Sequence, residues 1–293
     1  MRVFVTGASG FVGSAVVQEL LGAGHQVLGL ARSEAAAQAL VAAGAETHRG
    51  SLDDLDSLRR GAAAADGVIH LAYNHNFVEY EAAGQTDRLA IEALGEALAG
   101  SDRPLLVTGG LAGFNLGRPA TEEDIPAAKL RLSEPTALAL AAKGVRASVV
   151  RLASSVHDRN DHGFVPTLID IARKTGVAAY VGDGLNRWPA VHRLDAAHLF
   201  RLALEQGVGG AIYHGSADEG IPMRDIAAII GRHLSLPVVA KTPGEAADHF
   251  GWMARFVGLD MPATSALTQQ RLGWHPTQPG LLADLEQGHY FES

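Results

Sequence analysis

A chain of 293 residues, 47% of them hydrophobic, can bury a large core as one elaborated domain or one and a half. Its formal net charge of −8, without a basic run, argues against nucleic acid and anionic membrane as partners and leaves a small molecule as the default ligand. The absence of cysteine excludes disulfides, thiolate nucleophiles and Cys-ligated metals. The N-terminus is itself a strand, and no apolar stretch is long enough to cross a bilayer, so the expected location is the cytoplasm.

The first element is Val3-Phe4-Val5, followed by Thr6-Gly7-Ala8-Ser9-Gly10-Phe11-Val12-Gly13 and an apolar-periodic run from Ser14 to Leu21. That pattern predicts strand, tight turn and helix. Gly7 suits the turn, Gly10 lets a pyrophosphate approach the main chain, and Gly13 allows helix to pack on strand. The phosphates would then lie at the helix N-terminus. Gln26 to Ala31 reads as the second strand of a βαβ unit, and Arg32-Ser33 stands at its end. A guanidinium beside a hydroxyl suits a 2′-phosphate, which favours NADP over NAD; the alternative is a solvated arginine at a strand end.

An Ala-rich helix is predicted from Glu34 to Ala43, then a short strand segment from Ala45 to Gly50 and a capped helix start over Ser51 to Leu58. Asp53 is either an acceptor for an adenine amino group or the helix cap. Gly67 to Ala72 is a buried strand, and His70, Tyr73, Asn74 and His75 fall where an open parallel sheet binds its ligands. Further on come a helix from Thr86 to Ala99, a strand from Pro104 to Thr108, a helix from Ser133 to Lys143 and a strand from Val145 to Leu152. Ala153 to Phe164 reads as a loop, Ala196 to Glu205 as a helix and Gly210 to His214 as a late strand. The alternation predicts an α/β fold with a doubly wound parallel sheet, under a smaller lobe supplied by the less regular remainder.

The glycine turn, the Arg32-Ser33 strand end, the Asp53 segment and Val191-His192-Arg193-Leu194-Asp195 together carry a resemblance. Over nearly its whole length the chain resembles the extended short-chain dehydrogenase/reductases, also called the NAD-dependent epimerase/dehydratase family. The resemblance implies a Rossmann-like sheet that binds NAD(P), formed by residues 1–155 plus about 190–215. It implies a substrate lobe of about 156–189 plus 216–293 that closes over the nicotinamide. By position Gly7, Ser9, Gly10, Phe11, Val12 and Gly13 would meet the pyrophosphate, and Arg32 and Ser33 the 2′-phosphate. Leu52 and Asp53 would meet the adenine, Leu71, Ala72 and Tyr73 the ribose, and Thr108, Ser154 and Ser155 the nicotinamide. A homodimer through the helices at 86–99 and 133–143 is also implied.

The chain departs from the family at its catalytic machinery: a Ser or Thr after the fifth strand, and a Tyr with a Lys four residues later. The tyrosines are Tyr73, Tyr80, Tyr180, Tyr213 and Tyr290, and none has a lysine four residues on. Alignment sets Leu130 at the Tyr position, Glu134 at the Lys position, and Gly109 or Gly110 at the Ser position. Thr108, His157 and His192 are then the candidate proton donors, with His75 and His162 behind them. His157 to His162 also contains metal-ligand residue types, but Arg159 in its midst argues against a metal site. Trp188 is a candidate pocket wall that could stack on a planar substrate, or a core residue. The leading expectation is an NADP-dependent oxidoreductase acting on a small carbonyl or alcohol with a non-standard proton donor. The alternatives are a non-catalytic NADP-binding sensor and a non-redox isomerase or lyase on the same fold.

Overall fold

The computed structural model describes residues 1–74, 80–126 and 131–292. In chain order the first half comprises β1 (Arg2–Thr6), α1 (Phe11–Gly22), β2 (Gln26–Ala31), α2 (Glu34–Ala42), β3 (Glu46–Arg49), α3 (Leu55–Ala63), β4 (Gly67–His70), α4 (Tyr80–Leu98), β5 (Leu105–Gly110), α5 (Ser133–Ala141) and β6 (Ala147–Leu152). There follow β7 (Ser155–His157), α6 (Phe164–Thr175), β8 (Ala178–Val181), β9 (Arg187–His192), α7 (Arg193–Gln206), β10 (Ile212–Gly215), β11 (Asp218–Pro222) and α8 (Met223–Leu234). The chain closes with β12 (Val238–Lys241), α9 (Pro243–Phe250), α10 (Ala254–Val257), α11 (Ala266–Leu272) and α12 (Leu281–Glu286).

Seven strands form one parallel sheet in the order β10-β6-β5-β4-β1-β2-β3. From β1 the chain steps outward through β2 and β3, crosses back, and steps outward the other way through β4, β5 and β6. The order therefore reverses between β1 and β4, and the carboxyl ends of those strands define the crevice where such sheets bind ligands. Both faces are covered, which is why β1 reads as a continuous apolar run rather than an alternating one. Val3 and Val5 pack into a cluster with Val16, Leu20 and Phe200, from α1 and α7. Phe4 points the other way, into a cluster with Leu58, Ile91, Leu94 and Leu140 from α3, α4 and α5.

A third apolar cluster gathers Trp188, Ile226, Phe250, Met253 and Leu281 from elements beyond the main sheet. A three-stranded sheet of order β11-β9-β7 and a two-stranded β12-β8 pair run alongside it. Residues 153–164, expected as a loop, contain β7, paired in parallel with β9 so that His157 stands beside His192. Three residues are too few for alternation to reveal a strand. Two helices also begin earlier than their apolar spacing suggests, α1 at Phe11 and α4 at Tyr80.

Candidate functional site

The turn between β1 and α1 is built by close approach. Gly7 has a φ of +69°, and a Cβ there would sit 2.7 Å from the Ala72 nitrogen; a Cβ on Gly13 would sit 2.0 Å from the Gly7 oxygen. Only glycine satisfies both places. The Gly10 N–H donates to the Gly7 oxygen over 2.9 Å, and Gly10 caps α1 without any side-chain hydrogen bond. The helix thus presents its unsatisfied N–H groups and positive dipole end to whatever anion lies in front of it. Ser9 and Gly10 are exposed there, with Phe11 and Val12 half-buried behind them.

At the carboxyl end of β2, Arg32 is exposed and makes no hydrogen bond or ion pair with the described residues. Ser33 caps α2 by accepting from the Ala36 N–H over 3.2 Å, which leaves its hydroxyl hydrogen free to donate. Glu34, whose charge would repel a phosphate beside Arg32, is paired with Arg49. Asp54, and not Asp53, caps α3, accepting from the Ser57 N–H over 2.9 Å. Asp53 is therefore exposed and released from that duty, next to a half-buried Leu52.

The carboxyl end of β4 is tied to β1 by a buried hydrogen-bonded chain. The Thr6 hydroxyl accepts from the Ala72 N–H over 3.3 Å and lies 2.8 Å from His70 Nδ1; His70 Nε2 lies 3.0 Å from Asp87, which also accepts from the Ser133 hydroxyl over 2.6 Å. These contacts fix the tautomer: Thr6 donates to Nδ1, and Nε2–H donates to the Asp87 carboxylate. His70 is consumed in the frame rather than facing the crevice, and His75 lies outside the described residues. Leu71, Ala72 and Tyr73 follow half-buried, and the Arg131 guanidinium lies 3.9 Å above the Tyr73 ring. Thr108 is half-buried in β5 and donates to the His70 carbonyl over 2.9 Å. The hydroxyl oxygens of Ser154 and Ser155 are enclosed without a hydrogen-bond partner.

On the α5 side the polar groups are saturated. Arg151 is fully buried, grips both carboxylate oxygens of Glu134 at 2.7 Å, and donates to the Asp124 carbonyl over 2.9 Å. It also lies 3.1 Å from His214 Nε2, whose other ring nitrogen is 2.8 Å from the Thr264 carbonyl. A ring nitrogen facing a guanidinium must accept, so His214 is neutral with its proton on Nδ1. Burial pushes its pKa down to about 4. Arg151, His214 and Gly109 stand side by side on β6, β10 and β5, and a Cβ on Gly109 would be 3.3 Å from Arg151 and 3.6 Å from Glu134. Glu134, at the position aligned with the family's lysine, is thus committed to a salt bridge; Leu130 lies outside the described residues. None of this network is legible in the sequence, because Arg151 and His214 are 63 residues apart.

The structure brings His157 and His192 together and leaves Thr108 on the main sheet. Their rings meet edge to face with centroids 5.3 Å apart. His157 is wholly buried, with Nδ1 2.8 Å from Asp284 of α12 and Nε2 without a partner. His192 accepts from the Leu194 N–H over 3.2 Å as the cap of α7, and its Nε2 faces Asp158 at 3.6 Å. Burial lowers its pKa, against the raising effect of Asp158. The remaining polar residues of the 157–162 stretch find separate partners: Asp158 pairs with Arg193, Asp161 accepts from Tyr290, and His162 packs edge-on against Phe11 with centroids 5.7 Å apart. Among the described residues no group of three or more His, Asp or Glu is placed to hold a metal ion. Trp188 is fully buried, so it is a core residue whose ring cannot stack on a substrate. No helix of the described residues is long and apolar enough to cross a membrane.

Comparison with known proteins agrees with this crevice. Residues 3–97 match the family model described as the NAD dependent epimerase/dehydratase family. An uncharacterised protein of Schizosaccharomyces pombe is 50% identical over 99% of this chain and 100% of its own length. A ketoreductase of Stigmatella aurantiaca, named for 4-hydroxy-2-methyl-3-oxo-4-farnesyl-3,4-dihydroquinoline-1-oxide, is 30% identical over 73% of this chain and 67% of its own. Among solved structures, the dTDP-glucose 4,6-dehydratase DesIV of Streptomyces venezuelae, with NAD and TYD bound, superposes with a TM-score of 0.78 at 19% identity, covering 99% of this chain and 97% of that one. That last likeness is one of fold. The chain belongs to the NAD-dependent epimerase/dehydratase family, and through it to the superfamily of NAD(P)-dependent oxidoreductases.

Proposed function

We propose that the protein is an NADP-dependent oxidoreductase that interconverts a small carbonyl compound and its alcohol without a Tyr-Lys pair. The observation that carries the cofactor half is Arg32: an exposed guanidinium with no partner among the described residues, next to a serine hydroxyl, on a sheet edge that also holds a helix N-terminus no side chain caps. Gly7, Ser9, Gly10, Phe11, Val12 and Gly13 would hold the pyrophosphate, Arg32 and Ser33 the 2′-phosphate, Leu52 and Asp53 the adenine, and Leu71, Ala72 and Tyr73 the ribose. Residues 1–155 and 190–215 form the dinucleotide half in this reading, and 156–189 and 216–293 the substrate half. The ketoreductase relative supports carbonyl chemistry.

When bound, the nicotinamide supplies two electrons and one hydrogen to a carbonyl carbon, or takes them back from an alcohol. The oxygen then needs one proton. His157 is fully enclosed and held by Asp284, and His192 is occupied as a helix cap, which leaves Thr108 as the candidate donor best placed to meet a substrate. Its hydroxyl would release the His70 carbonyl and donate to the substrate oxygen while water delivers the proton; Ser154 and Ser155 would orient the ring. The Arg151–Glu134 pair, standing where the family keeps its lysine, favours a second reading, a non-catalytic NADP-binding sensor.

Parallel titration with NADP⁺ and NAD⁺ tests the cofactor half. The wild type is expected to bind NADP⁺ about 10 to 100-fold tighter, as expected for a hydrogen bond to a charged phosphate, and Arg32→Asp to erase that preference while sparing NAD⁺. Equal losses for both would refute the NADP assignment, and NADP⁺ binding without turnover of any ketone would select the sensor.

A further inference from the structure

An aromatic plate gathers at the start of α6. Phe164, the first residue of α6, has its ring centroid 5.4 Å from Trp188, 6.0 Å from Trp252 and 5.1 Å from Phe256. Trp252 and Phe256 are themselves 6.1 Å apart, edge to face. Trp188 is fully buried and forms the back of the plate, whereas Trp252 is 41% exposed and Phe164 and Phe256 are half-buried.

Two contacts fix where this plate lies. His162, two residues before Phe164, packs against Phe11 at the N-terminus of α1, which is the phosphate end of the crevice. Ala112, two residues beyond β5, packs against the cluster that contains Trp188. Phe164 therefore stands two residues from a side chain that touches the phosphate turn, and the cluster behind it reaches the chain just beyond β5. Trp252 also lines a groove of about 360 Å³ together with Ile171 and Lys174 of α6 and Asp248 and His249 of α9. That leaves room for a substituent beyond a ring.

We propose that Phe164, Trp252 and Phe256 form a stacking subsite, and that the substrate is a planar aryl carbonyl compound rather than an aliphatic one. The inference rests on the oxidoreductase reading and narrows its substrate class. Ring faces and edges favour another π system in offset or edge-to-face contact, beyond the apolar area such a ligand buries. An aliphatic chain of equal area gains only the area.

Acetophenone and 2-octanone, each titrated into the complex with NADP⁺, are the first probes, because no reaction proceeds with the oxidised cofactor. Trp188 and Trp274 are fully buried, so iodide quenching of the native fluorescence reads Trp252. Acetophenone should shield Trp252 from iodide, and 2-octanone should not. In turnover with NADPH, Trp252→Ala should raise KM for acetophenone about tenfold without changing kcat or the KM for 2-octanone, and Trp252→Phe should restore it. Equal shielding by both ketones, or by neither, overturns the subsite. If acetophenone shields Trp252 but is never reduced, the subsite stands and the oxidoreductase reading falls. If only aliphatic ketones are reduced and Trp252 stays open to iodide, the subsite falls and the oxidoreductase reading stands.

Discussion

The carboxyl edge of the main sheet has two halves that treat charge in opposite ways. Around β1 and β2 the polar groups are left open: Arg32 has no partner among the described residues, Asp53 has passed the capping duty to Asp54, and α1 begins without a side-chain cap. Around β6 and β10 every guanidinium nitrogen of Arg151 is engaged, by Glu134, the Asp124 carbonyl or His214. An unsatisfied guanidinium is tolerable at the surface but not in a core, so exposure separates the two halves. The open half can bind a ligand, and the sealed half holds the sheet edge to α5. One edge of one sheet thus carries an open group of charges and a sealed one side by side.

The contrast predicts its own failures, starting on the sealed side. Arg151→Ala should destabilise the protein by about 3–5 kcal/mol in denaturant melts at pH 7, because Glu134 is left as an uncompensated charge of low exposure. A loss below about 1 kcal/mol would mean that the half is not sealed. His214 gives the pH counterpart. Its pKa is 6.5 in the unfolded chain and about 4 when folded, so between those values the unfolded chain binds more protons. The stabilising contribution is full above pH 6.5 and is lost as pH falls to about 4. Wild type should therefore lose up to about 3 kcal/mol more than His214→Gln over that window, measured by melts at both ends.

On the open side the effects are smaller in stability and larger in binding. Gly13→Ala places a Cβ 2.0 Å from the Gly7 oxygen and should cost about 1–3 kcal/mol, with dinucleotide binding lost in calorimetry. Full binding by a normally folded Gly13→Ala protein would remove the turn from the site. The smallest effect divides two adjacent carboxylates: Asp54→Ala should lower stability by about 1 kcal/mol through the lost cap. Asp53→Asn should leave the melt unchanged and weaken only the adenine contact.

The open half was also the legible half. Gly7, Gly10 and Gly13, the strand before them and the helix after them lie within one short stretch, so spacing alone predicts the turn. Asp53 was legible only as one of two neighbouring carboxylates, since a shift of one residue decides which of them caps. The sealed half is a property of the assembled sheet: strand register aligns Arg151 with His214 and Gly109, and no local pattern encodes register between strands so far apart. Trp188 shows the same limit. Its ring type fits a pocket wall and a core equally, and burial in β9 among α6 and α8 side chains decides for the core, with Trp252 the exposed ring.

The bond between His157 and Asp284 also bears on how the chain is made. Its two ends are 127 residues apart, and Asp284 lies in the last helix. As the polypeptide leaves the ribosome, the strands of the main sheet can pair while β7 still lacks the carboxylate that satisfies its buried histidine. Contacts of such long separation form late, because loop closure precedes any gain from them. The main sheet, whose last strand ends at Gly215, is thus free to assemble before the buried histidine of β7 acquires its partner.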